Sequence, residues 1–127
     1  MDIGVDIDGT ITAMPDVFRT LCRSLMARGN RVYIVTAQRT DHLDDPEHTT
    51  PQGRQRTLDG MGFKLGVHYD SIVMCPGNSP AAVAQAKKRA CEDLHLDVMF
   101  DNDPLNVAAC REVTKVLVPS DNPPVYR

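Results

Sequence analysis

The sequence predicts a single Rossmann-like α/β domain of three layers, with a five-stranded, mostly parallel sheet and no cap domain. Five short apolar runs rich in β-branched residues alternate with helical stretches along the chain. Strands buried on both faces have this continuous apolar character, and their alternation with helices favours a parallel sheet. The length of 127 residues suits one domain covering residues 1–127.

The apolar runs are too short for helices, and we predict that each is a strand. The predicted strands cover residues 3–7, 32–35, 71–74, 98–100 and 116–118. The helices predicted between them cover residues 16–28, about 53–61, 80–94 and 104–113. Gly29 closes the first helix, while Ser79 and Asp103 each precede a proline and are expected to cap the third and fourth helices. The stretches 39–52 and 119–127 are left without an assignment.

Composition excludes several classes of protein. There are 14 basic and 17 acidic residues, which gives a formal charge of −3, so no overall positive field attracts nucleic acid or anionic membrane. No apolar run approaches the length of a membrane span, and the first residues do not have the pattern of a signal peptide. We therefore expect a cytoplasmic location. The four cysteines lack metal-site spacing and are expected to be buried thiols.

Two carboxylates follow the first predicted strand, in the segment Asp6-Ile7-Asp8-Gly9-Thr10. On an extended backbone, residues two apart point the same way, so these carboxylates repel unless a cation or a chemical task holds them there. Gly9 permits a tight turn, and Thr10 adds a hydroxyl to the same space. In a parallel sheet, ligands bind outside the carboxyl ends of the strands, where these residues lie.

This segment resembles the signature of the haloacid dehalogenase (HAD) superfamily of phosphohydrolases. The resemblance implies a phosphatase in which Asp6 is the nucleophile that forms an aspartyl-phosphate and Asp8 is the general acid and base. It also implies that Mg²⁺ is bound by the Asp6 side chain, by the Asp8 backbone carbonyl and by an acidic residue after a later strand. Gly9 and Thr10 are expected to contact the substrate.

Residues after two other strands extend the resemblance. Thr36, after the second strand, matches the family's phosphate-binding Ser or Thr, and Arg39 is either a phosphate ligand or a solvated loop arginine. Asp101, after the fourth strand, matches the leading metal ligand, whereas Asn102 departs from the acid expected there. Asp103 fits an N-cap. Oxygen ligands of this kind suit Mg²⁺.

The family also requires a lysine near the nucleophile, and three lysines are candidates. Helical periodicity places Lys87 on the apolar face of the third helix and Lys88 about 100° away. Because an unpaired ammonium is costly on an apolar face, Lys87 is preferred. Lys64 lies in a loop and ranks last.

The substrate remains open at this level. Only about eight residues separate Asp8 from the first helix, so no cap fits and the site is expected to be open. Residues 35–39, 57–62 and 68–74 are similar to phosphatase domains of bacteriophage-type polynucleotide kinases, which implies a nucleic-acid 3′-phosphatase. A nucleotidase is an equal alternative. Basic residues gather around one predicted loop at this edge of the sheet: Arg39, His42, His48, Arg54 and Arg56.

Other classes are kept as alternatives. One is a sugar-phosphate phosphatase, and another is a catalytically inactive HAD-like binding module. A homo-oligomer in which another subunit supplies a lid is also open. A receiver domain of two-component signalling is disfavoured, because its acceptor Asp would follow the third strand, where Met74, Cys75 and Pro76 stand.

Overall fold

The computed structural model describes residues 1–42 and 44–119. Its centre is a five-stranded sheet in which every neighbouring pair is parallel, in the order β3-β2-β1-β4-β5. The strands are β1 (Asp2–Val5), β2 (Arg31–Arg39), β3 (Ser71–Gly77), β4 (Val98–Phe100) and β5 (Lys115–Leu117). The predicted Rossmann-like fold class is therefore confirmed.

Five α-helices connect the strands, and a short π-helical turn, Ile7–Ile11, follows β1. The helices are α1 (Pro15–Ala27), α2 (Pro46–Thr49), α3 (Pro51–Gly60), α4 (Pro80–Asp93) and α5 (Pro104–Cys110). The predicted caps of the last two are present: Ser79 accepts from the Ala82 N–H, and Asp103 accepts from two amides of α5. Among the described residues, no helix is both long and apolar enough to cross a membrane.

Alternating side chains on the strands divide the core into two halves. On one face, Ile3 and Val5 of β1 pack with Phe18 of α1 and Leu58 of α3. On the other face, residues of α4 and α5 pack against β2, β4 and β5. Helices therefore cover both sides of the sheet, which explains why its strands have continuous apolar sequences.

The largest departures from the predicted elements lie around residues 39–52. Strand β2 continues to Arg39, four residues beyond the predicted end, because it pairs with β3 along its whole carboxyl half. Helix α2 lies within the unassigned stretch, and α3 begins at Pro51 instead of residue 53. Both helices start with proline at an N-terminal position, a signal that the polar composition obscured. Of the unassigned tail, residues 120–127 lie outside the described residues.

The strand order creates a switch point between β1 and β4. From β1 the chain moves outward through β2 to β3, then returns across the sheet to form β4 and β5 on the opposite side of β1. The connections leaving the carboxyl ends of β1 and β4 therefore diverge. In open α/β sheets this divergence leaves a crevice in which ligands bind.

A stability test follows from the close contact between α2 and α3. A Cβ added to Gly53 would lie 2.2 Å from the Pro46 carbonyl oxygen and 2.6 Å from the Glu47 Cα, both backbone atoms. Because the backbone of α2 must then shift, we expect Gly53→Ala to lower the free energy of unfolding by about 1–3 kcal/mol in urea titrations. Gly60→Ala is the matched control, since nothing lies within 4 Å of a Cβ there. Equal effects of the two substitutions would contradict the close contact.

Candidate functional site

A buried lysine between two aspartates occupies the crevice at the switch point. Lys87 Nζ donates to Asp6 Oδ1 at 2.7 Å and to Asp101 Oδ2 at 2.8 Å. The three side chains, here called the Asp–Lys–Asp cluster, are almost completely buried. Residues that lie 81 and 14 positions from Lys87 are thus brought to one point.

The sheet fixes both aspartates. Asp6 follows β1, and its N–H donates to the Phe100 carbonyl at 2.9 Å, which continues the pairing of β1 with β4. Asp101 follows β4, and its N–H donates to the Leu117 carbonyl of β5. Lys87 reaches them from α4, on whose apolar face it lies. The choice of Lys87 over Lys88 agrees with this placement, since Lys88 pairs with Glu112 at the surface.

The cluster carries more negative than positive charge in a buried place. Burial raises the pKa of Asp6 to about 6; the charge of Lys87 opposes this rise, and that of Asp101 adds to it. Burial alone would lower the pKa of Lys87, but its two carboxylate neighbours raise it above the usual value. The lysine is therefore held as an ammonium, while one excess negative charge favours a proton or another cation at the cluster.

The turn after Asp6 depends on Gly9. Its φ of +79° is a conformation that L side chains rarely adopt, and an added Cβ would lie 2.8 Å from the Asn102 amide. Thr10 is buried, and its hydroxyl donates to Asp6 Oδ2 at 3.2 Å. The turns after β1 and β4 therefore pack against each other beside the cluster. The predicted contact of Gly9 and Thr10 with a substrate stays a prediction.

The Asp8 side chain forms its ion pair with a residue outside the Asp–Lys–Asp cluster. Its side chain is 57% exposed, and Oδ2 accepts from Arg54 Nη1 at 3.0 Å. Arg54 is only 1% exposed, and its Nε donates to the Glu47 carbonyl while Nη2 donates to Thr57. A buried guanidinium thus ties the turn after β1 to α2 and α3.

Sequence reasoning missed the importance of Arg54, which it treated as one of several basic loop residues. A signal was available: Thr50 and Pro51 mark the start of a helix, and this register places Arg54 one turn before the buried Leu58. An arginine on an apolar helix face requires partners, just as Lys87 does.

Thr36 has an unsatisfied hydroxyl. It lies on β2, its side chain is completely buried, and Oγ1 makes no hydrogen bond to any of the described residues. Leaving a buried polar group without a partner costs about 1–3 kcal/mol. This hydroxyl lies in the carboxyl half of β2, toward the edge at which parallel sheets bind ligands.

Arg39, at the end of β2, forms a bidentate pair with Asp41 at 2.7 and 2.9 Å. It also lines a cavity of about 180 Å³ at the carboxyl edge of the sheet, together with Ala37, Pro80, Val83, Asp103 and Asn106. Its guanidinium therefore lies next to an open cavity, but this guanidinium is already paired with Asp41. Asp103 contributes both to this cavity and to the cap of α5.

The binding of Mg²⁺ by the Asp6 and Asp101 side chains and the Asp8 backbone carbonyl stays a prediction. Within residues 1–42 and 44–119, no group of three or more His, Cys, Asp or Glu residues could hold a metal ion. Asp6 and Asp101 meet at Lys87, but the Asp8 carboxylate binds Arg54. Two carboxylates remain as candidate ligands.

Comparison with known proteins shows the fold and identifies no family. No family model and no curated protein matches the chain. A solved structure described as a universal stress protein in complex with cAMP superimposes with a TM-score of 0.59 at 14% identity. The match covers 96% of this chain and 98% of that one. At this identity the similarity shows a shared fold.

These findings correct the functional expectations from sequence. The assignment to the HAD superfamily was wrong, and so were the hydrolase, phosphatase and enzyme assignments that followed from it, because the structural similarity is to a universal stress protein. The second carboxylate of the motif, Asp8, forms an ion pair with Arg54. A short acidic motif after a strand is compatible with more than one use of the same fold.

Loss of the Lys87 ammonium is expected to destabilise the fold. Lys87→Met leaves two buried carboxylates without a counter-charge, so we expect the free energy of unfolding at pH 7 to fall by about 3–5 kcal/mol. The surface pair of Lys88 with Glu112 provides the control, and Lys88→Met is expected to leave stability nearly unchanged. Chemical denaturation of both variants measures the difference, and similar losses would refute the central role of Lys87.

Neutralising Asp6 is expected to raise the stability of the fold at neutral pH. The folded state holds the Asp6 proton more tightly than the unfolded chain, so this contribution favours folding at low pH and is lost as pH rises from about 4 to about 6. Asp6→Asn keeps an oxygen acceptor for Lys87 and has no such loss. With EDTA present, we expect the free energy of unfolding of this variant to exceed that of the wild type by about 1–3 kcal/mol at pH 7 and to equal it at pH 4. A difference that is independent of pH would contradict this assignment.

Proposed function

We propose that the chain binds a nucleotide at the carboxyl edge of its sheet, with the phosphate directed toward the Asp–Lys–Asp cluster. The observation that carries the proposal is the cluster itself, a buried set of charges with one uncompensated negative charge, located at the switch point of the fold. Charged groups with raised pKa values in such a crevice indicate a functional site. The protein with the same fold that was solved in complex with cAMP supports the choice of a nucleotide.

A cation is part of the proposal, because a phosphate and two carboxylates repel one another. Mg²⁺ typically keeps several waters and binds through one or two carboxylates together with ligand phosphates. Asp6 and Asp101 supply that number, and their hard oxygen atoms suit this ion. Mg²⁺ arriving with the nucleotide would neutralise the excess charge of the cluster and screen the phosphate from it.

Two further features fit a phosphate ligand here. The Thr36 hydroxyl is buried in the carboxyl half of β2 and lacks a partner among the described residues, so a ligand oxygen that reached it would satisfy it. The neighbouring cavity of about 180 Å³ includes Pro80 and Val83 at the start of α4 and Asn106 in α5. The amino end of α4 carries a partial positive charge that favours an anion. This cavity is the proposed position for the part of the nucleotide next to its phosphate.

The reduced state of the cysteines agrees with a cytoplasmic site of action, which we include in the proposal. Cys22, Cys75, Cys91 and Cys110 are all buried free thiols. Thiols persist in the reducing cytosol, whereas oxidising compartments favour disulfides.

The decisive experiment combines a binding measurement with a stability measurement. Calorimetric titration of cAMP, AMP and ATP into the wild type is expected to show saturable binding with Mg²⁺ and weaker or no binding with EDTA. Thr36→Val removes the unsatisfied hydroxyl at nearly constant volume. We expect the variant to be more stable by about 1 kcal/mol without ligand and to bind the nucleotide about 3- to 10-fold more weakly.

Thr114→Val is the control for this substitution. The Thr114 hydroxyl donates to the Leu96 carbonyl at 2.7 Å, before β4, at the opposite edge of the sheet. Its removal is expected to lower stability and leave nucleotide affinity unchanged. The proposal fails if no nucleotide binds, or if Thr36→Val and Thr114→Val have the same effect on affinity.

A further inference from the structure

A second cavity has the opposite electrostatic character from the Asp–Lys–Asp cluster. Its volume is about 360 Å³, and it lies between α1 and the loop that joins α3 to β3. Arg19, Arg23, Lys64 and His68 line it, and none of its lining residues is acidic. We call this cavity the basic pocket. It shares no lining residue with the cavity at the carboxyl edge of the sheet.

Hydrogen bonds hold the walls of the basic pocket in place. Arg19 Nη1 donates to the Met61 carbonyl at 2.9 Å, and Nη2 donates to Asp16 at 2.7 Å. The loop folds back on itself, because the amides of Val67 and His68 both donate to the Lys64 carbonyl. The pocket is therefore formed before any ligand arrives, which limits the entropy lost on binding.

Two of the cations are available to a ligand. Arg23 and Lys64 are exposed, and within residues 1–42 and 44–119 neither has a carboxylate within 4 Å. Asp16 compensates Arg19 alone. A chain with a formal charge of −3 thus concentrates uncompensated positive charge at one cavity.

His68 adds a neutral donor to these charges. Its Nδ1 accepts from the Lys64 N–H at 2.9 Å, so the proton of the neutral ring is on Nε2. Burial lowers the pKa of His68, and the charges of Arg23 and Arg19 lower it further. Two guanidinium groups, an ammonium and an imidazole N–H are the donors that bind phosphate oxygens in proteins.

We propose that the basic pocket is a second ligand site that binds a small phosphate-bearing anion, such as a diphosphate or a phosphate monoester, without a metal ion. The volume is within the range of small-molecule sites. An adjoining cavity of about 230 Å³ shares Arg23 and Val67 and is lined also by Met26 and Ala27. An anion with a small apolar portion therefore fits this surface.

The test uses inorganic pyrophosphate as the probe and EDTA in the buffer. Calorimetric titration of the wild type is expected to show one saturable site. In the double variant Arg23→Gln and Lys64→Gln, the affinity is expected to fall about tenfold or more, since two charged donors are lost. Both side chains are exposed, so the fold is expected to tolerate the change.

Two controls separate this site from the proposed nucleotide site. Arg28→Gln removes an exposed charge at the end of the same helix, outside the pocket, and is expected to leave pyrophosphate affinity unchanged. Asp6→Asn is likewise expected to leave it unchanged, because the probe binds without metal and away from the cluster. No saturable binding by the wild type, or equal affinity in the double variant, would refute the basic pocket as a site, whatever the outcome for nucleotides.

Discussion

The contact of Lys87 with Asp6 and Asp101 is the constraint around which the carboxyl edge of the sheet is organised. Without its two acidic partners, an ammonium in this position would be too costly to bury, and without the ammonium the aspartates would repel each other. The three side chains come from β1, α4 and β4, so their contact fixes the position of α4 relative to the centre of the sheet. The excess carboxylate charge that remains makes the same place receptive to a cation.

The fold was predictable from the sequence because its signals are local and repeated. Alternating β-branched runs and capped helices gave the fold class, and helical periodicity distinguished Lys87 from Lys88. The extent of β2 was not predictable in this way, because the polar end of the strand at Gln38 and Arg39 is fixed by pairing with β3. The length of β2 is thus determined by pairing with residues that are far away in the sequence.

The candidate site illustrates a different limit. The motif at Asp6 and Asp8 located the carboxyl edge of the sheet, and Thr36, Lys87 and Asp101 were also placed there by their positions after strands or on a helix face. The motif did not reveal the partner of each side chain. Asp8 binds Arg54, a residue 46 positions away, whereas Asp6 and Asp101 bind Lys87. The inferred chemistry was wrong because a pattern of residue types says little about such pairings.

The separation of these partners along the chain also bears on the order of assembly. The contact of Lys87 with Asp6 spans 81 residues, and that of Arg54 with Asp8 spans 46. Contacts between distant residues form more slowly than local ones, since closing a longer loop costs more conformational entropy. During synthesis, Asp6 emerges long before Lys87 and Asp101, so the nascent amino-terminal half lacks the counter-charge of its buried acid. The carboxyl edge is thus a property of the finished sheet, and incomplete chains do not present it.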